Sequence, residues 1–423
     1  MKRNSLHFVL RVAIFAISTG TIMAIAAERS AGQASEDRNY QFKGPISREV
    51  LENYLSRSFT MMDLCTGVGN VDDNIRMLFN TGAKFAGRAM YMWGSEQRIA
   101  DPAFLMKGKE IADKIHKRDP DMVLQGGVFE WVTQSVEKVP VPKWVFKEFG
   151  QKPEVRNFIY KDMLFPNADA SRRGSTPDIT KLETRMWFYF LSVSYINIGM
   201  EALHFGQLEL VGRNDKDYKD WADLIAKVRK YASKHARRRW VLCDAHVPSG
   251  GALSGGKLIL DSHAFPLRPK EVMGSNMDAI LEVGYYDGIY GKSKGGMTPS
   301  GWTCEHLPYL VEVDNWGASK QGGQPSQAEK PSHWIWNYDE MSWFAHKSES
   351  YRNDWLRYAH KWLKENDPNG FLQMPGSRVL HDGPVSETEP RKKMNWYFAN
   401  TKSPACPQGF NQEETIKEIW SKE

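Results

Sequence analysis

The feature that most restricts this chain is an alternation: short apolar runs of strand character are followed, again and again, by amphipathic helical segments or long irregular stretches. "RSFTMMDLC" precedes "DDNIRMLFNTGA", an acidic helix start closed by a glycine, and "KFAGRAMYMW" precedes "FLMKGKEIADKIHKRD". "MVLQGGVFEWV" leads through an insertion into "TKLETRMWFYFLSVSYINIG", where Thr180 and Glu183 have the spacing of a capping box. "MEALHFGQLEL" then precedes "YKDWADLIAKVRKYASKHA", and "RRWVLCDAH" and "GKLILDSHAF" follow, with a helix expected around 276–283. "LPYLVEVDNWG", helical "SYRNDWLRYAHKWLKEN" and "GFLQMPGS" complete the series. Repeated βα units give a parallel sheet with helices packed outside it. Eight of them fit an α/β fold of the (β/α)8 TIM-barrel type with long βα loops. The barrel is expected to be one domain over 46–423, ending in a helix at 411–422 and preceded by a polar linker over 27–45.

A doubly wound open sheet is the competing arrangement. It would carry a glycine-rich phosphate loop after its first strand, and "MMDLCTGVGN" matches only half of one. "GALSGGK" (251–257) has P-loop spacing, but Leu258 stands where Ser or Thr is required and a strand follows where a helix should.

The first 26 residues read as an export signal: Lys2 and Arg3, an apolar stretch from Val12, then Ala24-Ile25-Ala26 as a small-x-small cleavage pattern. Arg11 keeps the apolar run shorter than the ~20 residues a bilayer span needs, so no membrane span is expected after cleavage. The protein is therefore expected in the periplasm or secreted. Taking Lys2, Arg3 and Arg11 from the 56 basic residues leaves 53 against 51 acidic ones, which argues against nucleic acid as a partner. The dense basic run "KHARRRW" (234–240) reads as a solvated helix end. Four cysteines make no disulfide scaffold; Cys65 and Cys243 fall in apolar runs, and pairing of Cys304 with Cys406 after export is open.

In a (β/α)8 barrel the working end is the C-terminal end of the strands. Polar residues recur there: Asp63, Arg88, Glu96, Gln125, Glu130, His204, Gln207, Glu209, Glu312, Asp314, Asn315 and Gln373. Two neighbouring runs both end in Asp-x-His, Asp244 with His246 and Asp261 with His263. Alternation along a strand puts each pair on one face. Strands buried on both faces are normally apolar throughout, so a whole ring of ionisable groups points to function. The chain also holds fifteen tryptophans, several in loops. Trp93, Trp302 and Trp316 are candidates to stack on the C–H face of a sugar, with Trp334 and Trp336 as further walls.

The strand order and two carboxylate positions resemble the superfamily of retaining (β/α)8-barrel glycosidases. That resemblance implies Glu209 in "HFGQLEL" as acid/base on strand four and Glu312 in "LVEVDNWG" as nucleophile on strand seven. The Asn-Glu pair of that superfamily is absent from strand four, where Gln207-x-Glu209 stands, and Asp314 is an alternative reactive carboxylate. Arg88, Glu130, His204, Gln207, Asp244, His246, Asp261 and His263 would hold sugar hydroxyls, with no cofactor and an oligo- or polysaccharide as substrate. A second reading uses one divalent metal on Glu209, Asp244, His246 and His263, as in metal-dependent barrel hydrolases or sugar isomerases and epimerases. Amidohydrolase-type barrels open with His-x-His on strand one, and "TMMDLCTG" has none. A third reading is a barrel that binds carbohydrate without cleaving it.

Overall fold

Eight parallel strands close on one another in chain order: β1 (Ser58–Met61), β2 (Phe85–Tyr91), β3 (Val123–Gly127), β4 (Ala202–Gln207), β5 (Leu242–His246), β6 (His263–Pro266), β7 (Tyr309–Glu312) and β8 (Gly370–Val379). Pairing of Phe59 with Met374 joins β1 to β8 and closes the barrel, which excludes the open doubly wound sheet. A ninth strand, β9 (Trp396–Phe398), runs antiparallel along the far half of β8. This computed structural model describes residues 38–317, 320–326 and 331–423. The expected export signal and the first part of the expected linker lie outside the described residues.

The helices follow from their patterns and caps. Arg48–Leu55 (α1) is capped by Ser47, Val71–Thr81 (α2) starts on Asn70 and stops at Gly82, and Pro102–Arg118 (α3) starts on Asp101. Leu182–Asn197 (α4) is apolar nearly all round and buried along most of its length, as a helix wedged between barrel and insertion must be. Lys219–His235 (α5), Glu340–His346 (α6), Glu349–Asn366 (α7) and Glu413–Ser421 (α8) complete the shell. Among the described residues none is long and apolar enough to cross a membrane.

Several expectations need correction. No capping box forms on α4: Glu183 takes both guanidinium nitrogens of Arg156 at 2.7 and 2.8 Å, and Thr180 bonds to Asp178 instead. The helix expected at 276–283 is an antiparallel pair, Lys270–Glu271 against Ala279–Ile280, so no α-helix follows β5 or β6. Strand β6 begins at His263 rather than ending there, because Lys257–Leu258 belongs to a hairpin with Leu253–Ser254. A short apolar run carries no phase of its own, so from sequence its polar end reads as the C-terminal one. All four cysteines are free thiols, and Cys304 and Cys406 do not pair.

The N-terminal end of the barrel is plugged. Tyr40, Ile46, Val50, Leu51, Tyr54 and Leu55 pack on the first residues of the strands, among them Phe85, Val123 and Leu242. Residues 38–45 thus lie against the barrel. The basic run at 234–240 is not simply solvated: Arg238 is buried, covers the Phe42 ring at 4.6 Å and donates to buried Glu201 at 2.9 Å. Replacing one partner of a buried ion pair strands the other charge, at a cost of about 3–5 kcal/mol. Glu201→Gln is therefore expected to lower stability by about 3 kcal/mol, read from the urea midpoint; a change below about 1 kcal/mol would mean that Arg238 is solvated after all.

Candidate functional site

Three of the barrel strands lose register near the C-terminal end: β1 at Thr60/Met61, β2 between Ala86 and Met90, and β4 between His204 and Gln207. At the centre of the β2 irregularity Arg88 adopts φ +55°, a left-handed conformation inside a strand that costs an L-residue about 1–3 kcal/mol. The surroundings enforce it. The Arg88 amide donates to Gln125 Oε1 at 3.2 Å, and its carbonyl accepts from the Asp63 amide at 3.3 Å. The outcome is a guanidinium turned into the barrel mouth.

There Arg88 Nη1 pairs with Glu312, the last residue of β7, and Nη2 lies 3.2 Å from Nε2 of both His204 and His246. Glu312 Oε2 also receives Arg378 Nη1 at 3.0 Å and the Thr60 hydroxyl at 3.2 Å, while His246 Nε2 is 3.3 Å from Oε1. Burial alone would raise the Glu312 carboxyl, but Arg88 and Arg378 hold it well below the usual carboxylate range. An arginine only donates, so His204 accepts from Arg88 at Nε2 and carries its proton on Nδ1. That Nδ1–H faces Asp244 Oδ1 at 3.2 Å, which also accepts from Gln125 Nε2 at 2.7 Å. Burial, then the charges of Arg88 and His246, push the His204 imidazole well below its ordinary value, and burial pushes the Asp244 carboxyl up to about 7.

Above this network opens a cavity of about 490 Å³, within the size range of small-molecule sites. Arg88, His204, His246 and Arg378 form its floor. Trp93 and Trp131 stand nearly parallel on one wall, 13° apart, with Phe129 edge-on to both Tyr91 and Trp93. Trp316 lines the cavity from the loop after β7, and like Trp93 it is half exposed, so both rings offer a face.

Two carboxylates line the cavity. Glu130 follows β3, and its Oε2 accepts from the Gln207 amide at 3.1 Å. This contact requires glycine at 206, where φ is +51° and any Cβ would collide with the Glu130 carboxylate. Asp314 follows β7; its Oδ1 accepts from Arg378 Nη2 at 3.1 Å and the Asn315 amide at 2.8 Å, and its own amide donates to Glu340 at 3.0 Å. Burial pushes the Glu340 carboxyl up to about 8.

Of the residues singled out from sequence, Arg88, Trp93, Glu130, His204, Gln207, His246, Asp314, Asn315 and Trp316 line the cavity. Asp244 lies behind His204, and Glu312 lies beneath Arg88 and Arg378, nearly inaccessible. Four of the candidate catalytic and sugar-binding residues stand elsewhere. Glu209 accepts from the Ser249 amide at 3.2 Å and does not line the cavity. Asp261 is bonded to the Cys243 amide and to Arg229, and His263 opens β6 with its Nδ1 on Ser293. Trp302 donates to the Ile46 carbonyl at the plugged end of the barrel. The candidate metal ligands Glu209, Asp244, His246 and His263 are therefore not gathered. Among the described residues no group of three or more His, Cys, Asp or Glu side chains is arranged to hold a metal ion.

Sequence reading missed Arg378, Trp131, Tyr91 and His381. Arg378 was hidden because Pro375-Gly376 reads as the end of β8, although the strand continues to Val379. The run Phe129-Glu130-Trp131 directly after β3 could have flagged Trp131.

No protein-family model matches the sequence, and no curated protein matches it. Among solved structures the chain is similar to an α-galactosidase from Thermus thermophilus (14% identity over 54% of this chain and 43% of that one, TM-score 0.30). It is also similar to a GH2 β-galacturonidase from Eisenbergiella tayi (10%, 83% and 47%, TM-score 0.37) and a GH18 chitinase from Cycas revoluta (9%, 86% and 98%, TM-score 0.35). The chain thus spans about half the length of the first two.

A carboxyl whose pKa rises on folding favours the folded state below its unfolded value of about 3.9 and loses that contribution as pH climbs through the folded value. For Asp244 the loss falls between the ordinary carboxylate range and about 7. Across that window, stability of Asp244→Asn relative to the unsubstituted protein is expected to improve steadily, measured as urea midpoints at fixed ionic strength. A pH-independent difference would place the Asp244 titration outside the window. Glu312→Gln is expected to cost about 3–5 kcal/mol at neutral pH by the same method, since it strands two buried arginines.

Proposed function

We propose that this protein is an exported glycoside hydrolase whose two working carboxylates are Glu130 and Asp314. The observation that carries this reading is a cavity with aromatic walls, a floor of arginine and histidine, and two carboxylates at its edge. Flat indole faces suit the C–H faces of a sugar ring, and fixed donors such as Arg88 and Gln207 suit its hydroxyls. The basic-then-apolar N-terminus supports export, and the near-balanced charge suits a carbohydrate rather than a nucleic acid. In this reading no metal is needed.

Asp314, oriented by Arg378 at 3.1 Å, acts at the anomeric carbon as nucleophile or as a charge that steadies the oxocarbenium-like transition state. Among the described residues its Oδ2 has no partner, so one oxygen remains for the sugar. Glu130 has no cation bonded to it and donates the proton to the leaving oxygen. Glu312 is assigned a different task. Its oxygens are taken up by Arg88, Arg378, Thr60 and His246, so it orients the floor rather than reacting. This assignment replaces the pair Glu209 and Glu312 implied by the superfamily resemblance.

Glu130→Gln and Asp314→Asn should each reduce turnover of a hydrolysed glycoside by about 10²–10⁴-fold while leaving saccharide binding measurable by calorimetry. Glu209→Gln should stay within about two-fold of the unsubstituted enzyme, as expected for a side chain outside the cavity. A large loss in Glu209→Gln with little change in Asp314→Asn would return the chemistry to the pair implied by resemblance. Binding without turnover in the unsubstituted protein would favour the non-catalytic barrel.

A further inference from the structure

The 128–181 insertion between β3 and α4 does more than cover the barrel. Its two ends are joined as antiparallel strands, Val132 opposite Ser175 and Thr133 opposite Gly174. Gly174 is held against Trp131 so closely that a Cβ would sit 2.6 Å from the indole. The indole that walls the cavity is therefore locked to the segment leading into Ser175 and Thr176. Thr176 lines the cavity described above, and it also lines a second hollow of about 570 Å³ on its other side. The two spaces adjoin across one threonine.

The second hollow is built from polar groups around one aromatic ring. Phe165 lies under the Arg213 guanidinium at 4.2 Å. Arg213 has no carboxylate partner among the described residues, so its donors are uncommitted. Asn214, next to Arg213 in the segment after β4, is tied by its Nδ2 to the buried carboxylate of Asp178 at 2.9 Å. Asp178 in turn fixes the insertion, its amide donating to the Met163 carbonyl at 2.8 Å. Asn167 and Ser175 supply further donors and acceptors. An aromatic ring ringed by guanidinium, amide and hydroxyl groups matches the mixed C–H and O–H surface of a pyranose.

We infer that the hollow lined by Phe165, Arg213 and Asn214 is a second sugar-binding subsite, contiguous with the catalytic cavity across Thr176, so that the enzyme holds at least two linked saccharide units. This rests on the glycosidase reading and extends it: the substrate is an oligosaccharide or a longer chain, and the distal unit adds binding energy shared equally by ground and transition states. Such binding is lost mainly as a higher KM for long substrates.

The test compares 4-nitrophenyl monosaccharides with α- and β-1,4-linked gluco-, galacto-, manno- and xylo-oligosaccharides of two to six units. Three variants are used: Arg213→Ala, Phe165→Ala and Asn167→Trp, the last placing a bulky ring on an exposed position of the hollow. The ratio of kcat/KM for the longest hydrolysed oligosaccharide to that for the matching aryl monosaccharide is expected to fall about ten-fold in each, carried by KM, as loss of one strong polar contact implies. A ratio unchanged in all three variants overturns the subsite and leaves the glycosidase reading standing. An unsubstituted protein that neither binds nor hydrolyses any member of the panel overturns both.

Discussion

Glu312 with its two arginines is the interaction on which the upper half of the barrel depends. Three ionised groups sit where the barrel interior admits almost no water, and each would be costly alone. Together they are tolerable because every bond is made across strands. Arg88 comes from β2, Glu312 from β7, Arg378 from β8 and Thr60 from β1. A single carboxylate thereby ties four strands at one height. The strained backbone at Arg88 is one consequence, since an unbroken β2 could not turn that guanidinium toward β7.

The same logic extends downward. The middle of the barrel is not filled with aliphatic side chains but with a hydrogen-bonded polar layer. Gln373 donates to Ser58 at 2.9 Å and to the Phe59 carbonyl, while Gln125 joins Arg88 to Asp244. Buried polar networks of this kind stabilise one geometry strongly, because a half-satisfied version costs more than an apolar core. Apolar packing is displaced to the two outer boundaries, the helices outside and the plug of Tyr40, Tyr54 and Leu55 below. The site thus rests on a rigid polar column with its aromatic walls carried by loops.

How much of this was legible in the sequence varies with the physics involved. The barrel was readable because βα alternation reports local patterning, which each element satisfies for itself. Side chains at or just past a strand end, such as His246, Asp314 and Glu130, were readable for the same reason. Asp261 and His263 were not, because deciding which end of "LILDSHAF" is the strand depends on a hairpin partner, Leu253–Ser254, that lies before the run. Arg378 was lost to a Pro-Gly pair that normally ends a strand, tolerated here because β8 continues in pairing with β9. Trp302 was drawn to the wrong end of the barrel because composition marks a loop as aromatic without saying where it runs.

Loss of helices after β5 and β6 gives the last piece of the arrangement. A (β/α)8 barrel normally spends those segments on covering its wall. Here residues 267–308 instead form paired short strands and a loop that reaches back to the plugged end, where Ser300 accepts from the Ile46 amide at 3.1 Å. The wall is still covered, since Tyr290, Ile289 and Leu281 are buried in its place. With that side sealed by loops bound to the base, the long insertion after β3 is the arm that shapes the opposite approach, and it carries Trp131 together with Phe165, Asn167 and Ser175 of the second hollow, which Arg213 and Asn214 complete from the segment after β4. The hollow thus lies between two segments, the insertion with Phe165 and the turn after β4 whose Arg213 guanidinium covers that ring.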